Sequence, residues 1–508
     1  MRRILKILTS RLLIVAPLLI LQLIFFMLLF YRVALSTRIL PAMSLIAFMT
    51  TVYIINRDED PAYKIAWVIV ILGMPIIGVP LYLLAGNRHV PERLRNGTTQ
   101  ADKAMEGLLT VDPQLVEKSR IMDPDIRNML NYGVRNGFPV YQNTESRYFS
   151  SGEEWFPVYL EELKRAKHFI FIEFFIIERG SMWNEVLDIL KQKVKEGVEV
   201  KIIYDDFGSI TLPWNYDKKL REAGIETYRF NHVRPAFIIQ MNNRDHRKIT
   251  VIDNNIAFTG GVNLSDEYAN RIKRFGYWKD SAVLLHGEAV WSMTVMFLGM
   301  LTFCRGKKSD PIDYKKYRVL CDKVNDGGLY LPYSDTPTDK ECVALNMHLN
   351  MVTHAKSYIY IDTPYLILTE TMKQALMRAA GSGVDVRILT PHIPDKRLVF
   401  EITRGYYRQL IEAGVRIYEY TPGFNHCKNF VSDDRIAIVG STNTDYRTYF
   451  LHFENAVMMY HTTEITKIRD NFCDALKQSR EITEEDVNRT CLIVRLIRSV
   501  LNIFIPLL

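Results

Sequence analysis

The chain carries one long pattern twice, and this duplication restricts its possible folds more than any other feature. The stretch RDHRKITVIDNNIAFTGGVNLSDEY at residues 244–268 returns as NHCKNFVSDDRIAIVGSTNTDYR at residues 425–447. Both copies follow the pattern His-x-Lys-x4-Asp-x6-Gly-[Gly/Ser]-x-Asn. A unit repeated at this distance is a duplicated domain rather than a turn of a solenoid, so we expect two similar lobes.

The segments around the pattern repeat as well, and they alternate between strand and helix signals. AKHFIFIEFFI at 166–176 matches AKSYIYIDTPY at 355–365, and KEGVEVKIIYDD at 195–206 matches GSGVDVRILTPH at 381–392. Runs of β-branched and aromatic residues predict strands, while the apolar spacing of WNEVLDILKQKVKEG predicts a helix that ends at Gly197. Strands that alternate with helices predict an α/β fold in two pseudo-symmetric lobes, each a mixed sheet covered by helices.

Apolar residues are concentrated near the N-terminus. Three hydrophobic runs occupy about residues 12–30, 40–55 and 66–85, and the first has no charge over the length that a helix needs to cross a bilayer. We expect two true transmembrane spans and one re-entrant or interfacial segment. At the other end, residues 491–508 place two arginines and an asparagine on one helical face and apolar side chains on the rest, which predicts an amphipathic helix in the membrane interface.

The composition fits a folded protein of several domains, with 508 residues, 48% hydrophobic and 24% charged. The predicted domains are a membrane region at 1–95, a first repeat at 110–310, a second repeat at 325–490 and the amphipathic helix at 491–508. The net charge of +7 suits an anionic partner. The six cysteines form no C-x-x-C pair and no cluster of metal-ligand spacing, so neither a disulfide scaffold nor a zinc site is indicated.

The histidine and lysine of each pattern lie two positions apart on a predicted strand, so their side chains share one face. The four residues of these faces are His246, Lys248, His426 and Lys428. Asp253 and Asp433 lie an odd number of positions away and are expected to face the other side. This favours a structural role for both aspartates, such as bonding to the backbone of the turn that follows.

Each copy continues into a second short strand, a Gly-Gly or Gly-Ser step, and an asparagine, Asn263 or Asn443. Imidazole, ammonium and amide groups on one surface form a site for a tetrahedral anion, and two such surfaces would hold one phosphate from both sides. Displacement at phosphorus needs an attacking group and a proton donor, which two facing histidines supply. The lysines and asparagines balance the charge on the non-bridging oxygens, so we expect no metal and no other cofactor.

These residues resemble the phospholipase D superfamily, whose hallmark is a paired His-Lys-Asp motif. More narrowly, they resemble bacterial cardiolipin synthases. The narrower likeness lies in NNRDHRKITVID with TGGVNLSDEY, in FGYWKDSAVLL, in GSTNTDYR with FENA, in the apolar run AWVIVILGMPIIGVPLYLLAG and in the C-terminal PLL. It extends over nearly the whole chain.

The resemblance implies a phosphatidyltransferase that makes cardiolipin and glycerol from two molecules of phosphatidylglycerol. It implies that His246 attacks the phosphorus, and that His426 protonates the departing glycerol and then activates the second lipid. Downstream acids, Asp280 and Glu454, would hold the other ring nitrogen of the histidines and fix the tautomer. The residues predicted to be catalytic are His246, Lys248, Asp253, His426, Lys428 and Asp433, and those predicted to bind phosphate are Asn263 and Asn443.

The resemblance also implies phosphatidylglycerol and other anionic membrane lipids as partners, with no nucleic acid. The expected location is the bacterial cell membrane, as a multi-pass protein with its catalytic lobes in the cytoplasm. Two alternatives stay open. Water instead of a lipid hydroxyl would make the protein a phospholipase D-type hydrolase, and another alcohol acceptor is the second alternative because Ser432, Thr448 and His452 depart from the residues usual in the family.

Overall fold

The computed structural model describes residues 39–57, 59–86, 92–119, 123–233, 242–306, 309–319, 322 and 324–504. These residues divide into two compact units. The small unit comprises the described residues up to Glu92 and from Thr490 onward, with Val233 and Asn242, and the large unit comprises those between. Both copies of the repeated pattern lie in the large unit.

The first lobe of the large unit is built on a mixed sheet. Its strands are β1 (Thr144–Phe149), β2 (Phe169–Phe174), β3 (Glu199–Asp205), β4 (Glu226–Phe230), β5 (Arg244–Asp245), β6 (Lys248–Ile252), β7 (Ile256–Gly260), β8 (Tyr277–Lys279) and β9 (Ala282–Gly287). Seven of them form a sheet in the order β1-β9-β7-β6-β2-β3-β4. The β2, β3 and β4 strands run parallel, and the other neighbours are antiparallel.

The second lobe repeats this plan. Its strands are β10 (Leu329–Asp335), β11 (Tyr358–Asp362), β12 (Asp385–Pro391), β13 (Arg416–Tyr420), β14 (Gly423–Asn425), β15 (Asn429–Ser432), β16 (Ile436–Gly440), β17 (His452–Tyr460) and β18 (Ser479–Ile482). The order is β10-β17-β16-β15-β11-β12-β13-β18, which matches the first sheet with β18 added at one edge. The predicted duplicated α/β fold is therefore confirmed.

Helices cover the sheets of both lobes. In chain order the α-helices of the described residues are Ile39–Ile55, Pro61–Gly73, Pro75–Leu81, Glu92–Met105, Pro113–Ser119, Pro124–Arg135, Gly152–Arg165, Ser181–Lys195, Tyr216–Glu222, Val290–Arg305, Val343–His354, Glu370–Gly381, Arg397–Glu412, Tyr446–Leu451, Glu464–Lys477, Glu484–Asn488 and Leu492–Phe504. Side-chain caps start several of them. Ser151 accepts a hydrogen bond from the N–H of Glu154, and Thr369 accepts one from Met372.

Each lobe has its own hydrophobic core. The helix Val290–Arg305 is buried from Val290 to Leu301 because it contacts β2 and β6 of the first sheet and β10 of the second. The helix Pro124–Arg135 falls within the predicted first repeat, yet its side chains pack into the core of the second lobe. The repeat boundaries 110–310 and 325–490 stay predictions.

The small unit contains the apolar helix Ile39–Ile55, and the run predicted at 66–85 is interrupted. The helix Pro61–Gly73 ends there because Pro75 begins a new one, which ends at Leu81. Within the described part of the chain, every helix is too short or too polar to cross a bilayer. The run predicted at 12–30 lies outside the described residues.

Candidate active site

Each histidine of the repeated pattern lies immediately after a short strand, β5 or β14, and its main chain is held by the opposite lobe. The β5 strand pairs in parallel with the start of β17, and β14 pairs in parallel with β8. The N–H of His246 donates to the carbonyl of Phe453 (2.9 Å), and the N–H of His426 donates to the carbonyl of Lys279 (2.7 Å). The lobes thus exchange short strands, and this exchange brings both motifs to one interface.

A carboxylate from the opposite lobe contacts Nδ1 of each histidine. The two oxygens of Glu454 lie 2.9 and 3.1 Å from His246 Nδ1, and Asp280 Oδ2 lies 2.6 Å from His426 Nδ1. Each acid directly follows the residue whose carbonyl holds the histidine N–H, so one strand pairing places both contacts. An Nδ1–H donated to a carboxylate leaves the Nε2 lone pair free for chemistry.

A buried lysine accompanies each histidine. Lys248 Nζ donates to the main-chain carbonyl of His246 (2.5 Å), and Lys428 Nζ lies 2.9 Å from His426 Nδ1. Burial lowers the pKa of Lys248 to about 7 and the pKa of Lys428 to about 8. A bound anion would stabilise both ammonium forms, so the two lysines fit a site for negative charge.

The histidines themselves are held in their neutral form. Burial, together with the neighbouring lysines, lowers the pKa of His426 to about 4 and the pKa of His246 well below its usual value. Burial also raises the pKa of Glu454, the acid that contacts His246 Nδ1. A neutral imidazole can attack through Nε2 or accept a proton there, and a phosphate nearby would raise its pKa.

Aromatic rings line the site and account for its low polarity. The ring of Phe175 lies 4.9 Å from that of His246, and the rings of Tyr268 and Trp278 lie 5.4 and 5.2 Å from that of His426, between centroids. These rings displace water from the imidazoles. The lowered pKa values of the histidines follow from this environment.

The two predicted phosphate-binding asparagines are buried and brace the loops that follow β7 and β16. Asn263 accepts from the N–H of Ile176 (3.0 Å) and donates to the hydroxyl of Tyr268 (2.8 Å). Asn443 donates to Thr448 Oγ1 (3.3 Å). A phosphate-binding role for these amides stays a prediction.

Asp253 and Asp433, which the resemblance counts among the catalytic residues, bond to main-chain N–H groups, and a direct catalytic role for them stays a prediction. Asp253 accepts hydrogen bonds from the N–H groups of Lys167, His168 and Phe169 at 2.7–2.8 Å, and Asp433 makes the same contacts at the start of β11. Asp253 follows a five-residue strand, which puts it about 16 Å along the chain from Lys248. The aspartates therefore fasten the chain before β2 and β11, rather than the turn that follows them.

Gly261 permits the close approach of the two lobes. A Cβ at this position would lie 2.1 Å from Asp280 Oδ1 and 3.1 Å from the carbonyl oxygen of His426. The matching residue of the second copy is Ser441, whose hydroxyl donates to Glu454 Oε2. The two half-sites therefore differ in the group that holds the orienting acid.

A charged network beneath each motif was missed by sequence reasoning. Arg247 pairs with Glu173 (2.7 Å) and Asp245 (3.1 Å), while Lys279 lies 3.6 Å from Asp362. Buried charges are rarely found without partners. The available signal was an acid at the same place in two otherwise apolar strands, FIFIEF and YIYID.

Comparison with protein families matches both repeats and the N-terminal region. A family model described as "Cardiolipin synthase, PLD-like domain" matches residues 159–274 and 349–476. A model described as "Phospholipase_D-nuclease N-terminal" matches residues 45–87.

Whole-chain relatives are found among bacterial proteins. An uncharacterized protein of Streptococcus mutans serotype c is 41% identical over 464 residues, which are 90% of this chain and 99% of the relative. A cardiolipin synthase of Geobacillus sp. is 36% identical over 457 residues, or 89% of this chain and 90% of the relative. Cardiolipin synthase 2 of Bacillus anthracis is 34% identical over 467 residues, or 91% of this chain and 90% of the relative.

Among solved structures, the phosphatidylserine synthase of Haemophilus influenzae aligns with a TM-score of 0.58 at 15% identity. The alignment covers 75% of this chain and 100% of that one. At this identity, the likeness supports the fold alone.

Proposed function

The chain belongs to the cardiolipin synthase family with phospholipase D-like domains, and we propose that it is a cardiolipin synthase, which transfers a phosphatidyl group from one phosphatidylglycerol to another. The products are cardiolipin and glycerol. The observation that carries the proposal is the pair of cross-lobe half-sites, each with an imidazole, a carboxylate on Nδ1 and a buried lysine. Two such half-sites suit a phosphodiester, which needs a nucleophile on one side and a proton donor on the other.

In the first proposed step, His246 Nε2 attacks the phosphorus of phosphatidylglycerol. The bond from phosphorus to the headgroup glycerol breaks, and His426 in its protonated form gives the Nε2 proton to the leaving oxygen. The charge of the substrate supports that protonated form. Burial lowers the pKa of His426, and a negatively charged phosphodiester between the rings raises it again. Glycerol leaves, and the phosphatidyl group remains on His246.

In the second step, His426 is neutral and takes the proton from the terminal hydroxyl of a second phosphatidylglycerol. The hydroxyl oxygen attacks phosphorus, the bond from phosphorus to His246 Nε2 breaks, and cardiolipin leaves. His426 again carries the proton with which the cycle began. Each bond formed is matched by one broken, and no water enters the products.

Charge on the non-bridging oxygens is balanced by Lys248 and Lys428, whose burial strengthens their interaction with an anion. Asn263 and Asn443 add amide donors in this proposal, since an Nδ2 group carries two hydrogens. We propose that the transfer is independent of metal ions, because these cations supply the electrostatic stabilisation that a metal gives elsewhere.

We further propose that the enzyme works at the bacterial cell membrane as a multi-pass protein with its lobes in the cytoplasm. Its partners are phosphatidylglycerol and other anionic lipids, and nucleic acid is not among them. The apolar run at 12–30 and the exposed apolar side chains of the helices Ile39–Ile55 and Leu492–Phe504 support this proposal. The exposed apolar side chains of the last helix are Leu492, Ile493, Leu496, Ile497, Val500 and Ile503.

The proposal is tested with the purified full chain in phosphatidylglycerol bilayers that contain EDTA. Cardiolipin and glycerol in equal amounts are the expected products. Phosphatidic acid in place of cardiolipin would show that water attacks the phosphohistidine and that the protein is a hydrolase. Product formation that needs added Mg²⁺ would refute metal independence.

A further inference from the structure

A third histidine stands beside the first half-site. His452 begins β17 two residues before Glu454, so both side chains lie on the same face of the strand. The ring centroids of His452 and His246 are 5.6 Å apart. Glu454 Oε1 lies 2.9 Å from His246 Nδ1 and 3.6 Å from His452 Nδ1, so one carboxylate oxygen serves two imidazoles.

The second half-site has a different residue at the matching place. Trp278, two residues before Asp280, directs its indole N–H at Asp280 Oδ2 across 3.5 Å. An indole N–H is only a donor, whereas an imidazole can also coordinate a metal. Among the residues that the structure describes, neither ring nitrogen of His452 has a hydrogen-bond partner, although its side chain is only 11% exposed. Buried polar atoms without a partner are uncommon, and a bound ion is one explanation for them.

We propose that His246, His452 and Glu454 form a binding site for a divalent cation of the Zn²⁺ type, and that this cation inhibits the enzyme. One ligand atom of each residue lies within 4.8 Å of the other two. Two histidines and a carboxylate are a donor set that Zn²⁺ prefers, with tetrahedral bonds that separate ligand atoms by about 3.4 Å. Binding therefore requires the three ligand atoms to move together from their present spread of up to 4.8 Å.

Inhibition follows from the tautomer of His246. A nitrogen that binds a metal must give up its proton, so coordination through Nδ1 places the ring proton on Nε2. The Nε2 lone pair is then lost for attack on phosphorus, and Glu454 is drawn away from its orienting contact. This inhibitory step depends on the proposed function, whereas the binding of the metal does not.

Positively charged side chains around this site weaken the binding of a cation. Arg244, Lys248 and Arg447 carry positive charge close to His452. A divalent ion therefore binds more weakly here than in a structural zinc site, and occupancy depends on the free metal concentration.

Metal binding is tested without substrate, by adding Co²⁺ to the full chain in detergent and recording its visible d–d bands. The wild type is expected to show the bands of a nitrogen- and oxygen-ligated ion, and H452N and H452Q are expected to lose them. The matched control is H286N, since His286 contacts Glu145 (2.9 Å) and Asp322 (3.1 Å) at the surface. That variant should keep the bands, and identical spectra for wild type and H452N would overturn the proposal.

Inhibition is tested with Zn²⁺ and with Mg²⁺ at equal concentration in phosphatidylglycerol bilayers. Zn²⁺ is expected to inhibit and Mg²⁺ is not, because Mg²⁺ prefers oxygen ligands. For each protein, inhibition is measured as a fraction of its own metal-free rate. The Zn²⁺ concentration that halves this rate should be about tenfold or more higher for H452N than for the wild type. Equal sensitivity of the two proteins would overturn the inhibitory role. Co²⁺ bands that depend on His452 in a chain without cardiolipin synthesis would support the site and refute the proposed function.

Discussion

Replacement of Asp280 by asparagine tests whether the carboxylate sets the tautomer of His426. Asp280 Oδ2 contacts His426 Nδ1 at 2.6 Å, while its Oδ1 accepts from the main-chain N–H of Ser281 at 2.8 Å. An asparagine has only one side-chain oxygen, so it can accept a hydrogen bond from His426 Nδ1 or from the Ser281 N–H, but not from both. If the oxygen stays on Ser281, the amide nitrogen donates to Nδ1, the ring proton moves to Nε2, and the base is lost.

If the amide oxygen instead faces His426, the productive tautomer is kept. The amide nitrogen of residue 280 and the main-chain N–H of Ser281 then face each other as two buried donors. Each unsatisfied donor costs about 1–3 kcal/mol, which gives about 2–6 kcal/mol in total. At about 1.4 kcal/mol for each factor of ten, the productive form is reduced by about 30-fold to 10⁴-fold. We therefore expect D280N to lower kcat/KM for cardiolipin formation by about 30-fold or more.

Glu454 provides the matched comparison, because its second partner is a hydroxyl rather than a main-chain N–H. In E454Q the amide oxygen can keep its contact with His246 Nδ1 while the amide nitrogen donates to Ser441 Oγ. The Ser441 hydroxyl is free to turn to the carbonyl of Asn455, which lies 3.2 Å away. We expect the loss in E454Q to be smaller than in D280N by about tenfold or more.

Both variants are assayed for cardiolipin formation in phosphatidylglycerol bilayers, with thermal unfolding to show that each is folded. The comparison of two acid-to-amide changes separates the tautomer argument from a general loss of charge. A D280N enzyme within about threefold of the wild type would refute the reasoning. Equal losses in D280N and E454Q would refute the part played by the Ser281 N–H.

Three further predictions concern other parts of the site. H246A and H426A should each abolish cardiolipin formation measured by lipid chromatography while the protein stays folded, and turnover by either variant contradicts a two-histidine mechanism. D253N should lower the free energy of unfolding by about 2–3 kcal/mol, since it weakens three bonds to a carboxylate, yet keep the rate per folded molecule; a denaturant titration with an activity assay checks both. The pKa of Lys428 is lowered by burial to about 8, so its ammonium is lost as pH rises through that value, and kcat/KM should fall there. K428R should move this alkaline limb to higher pH, and an unchanged pH profile would exclude Lys428 as its source.

Much of the fold could be predicted because its signals are local. The nearly continuous apolar run of Phe169–Phe174 and the helical spacing before Gly197 are each read from one short stretch of the chain. Because the second copy repeats the pattern of the first, the same strands and helices were predicted for both. The chemistry of His246 and His426 also followed from residue types alone, since imidazole and ammonium groups on one strand face suit a phosphate.

The sequence by itself determined the duplication, the α/β class and the family, together with the four histidines and lysines of the site. Only the tertiary structure decided that each histidine takes its acid from the other lobe, over separations of 208 and 146 positions. It also assigned Asp253 to the chain before β2 and the helix Pro124–Arg135 to the core of the second lobe. Contacts between such distant residues depend on how two sheets pack and exchange strands, and this packing leaves no periodic trace along the chain.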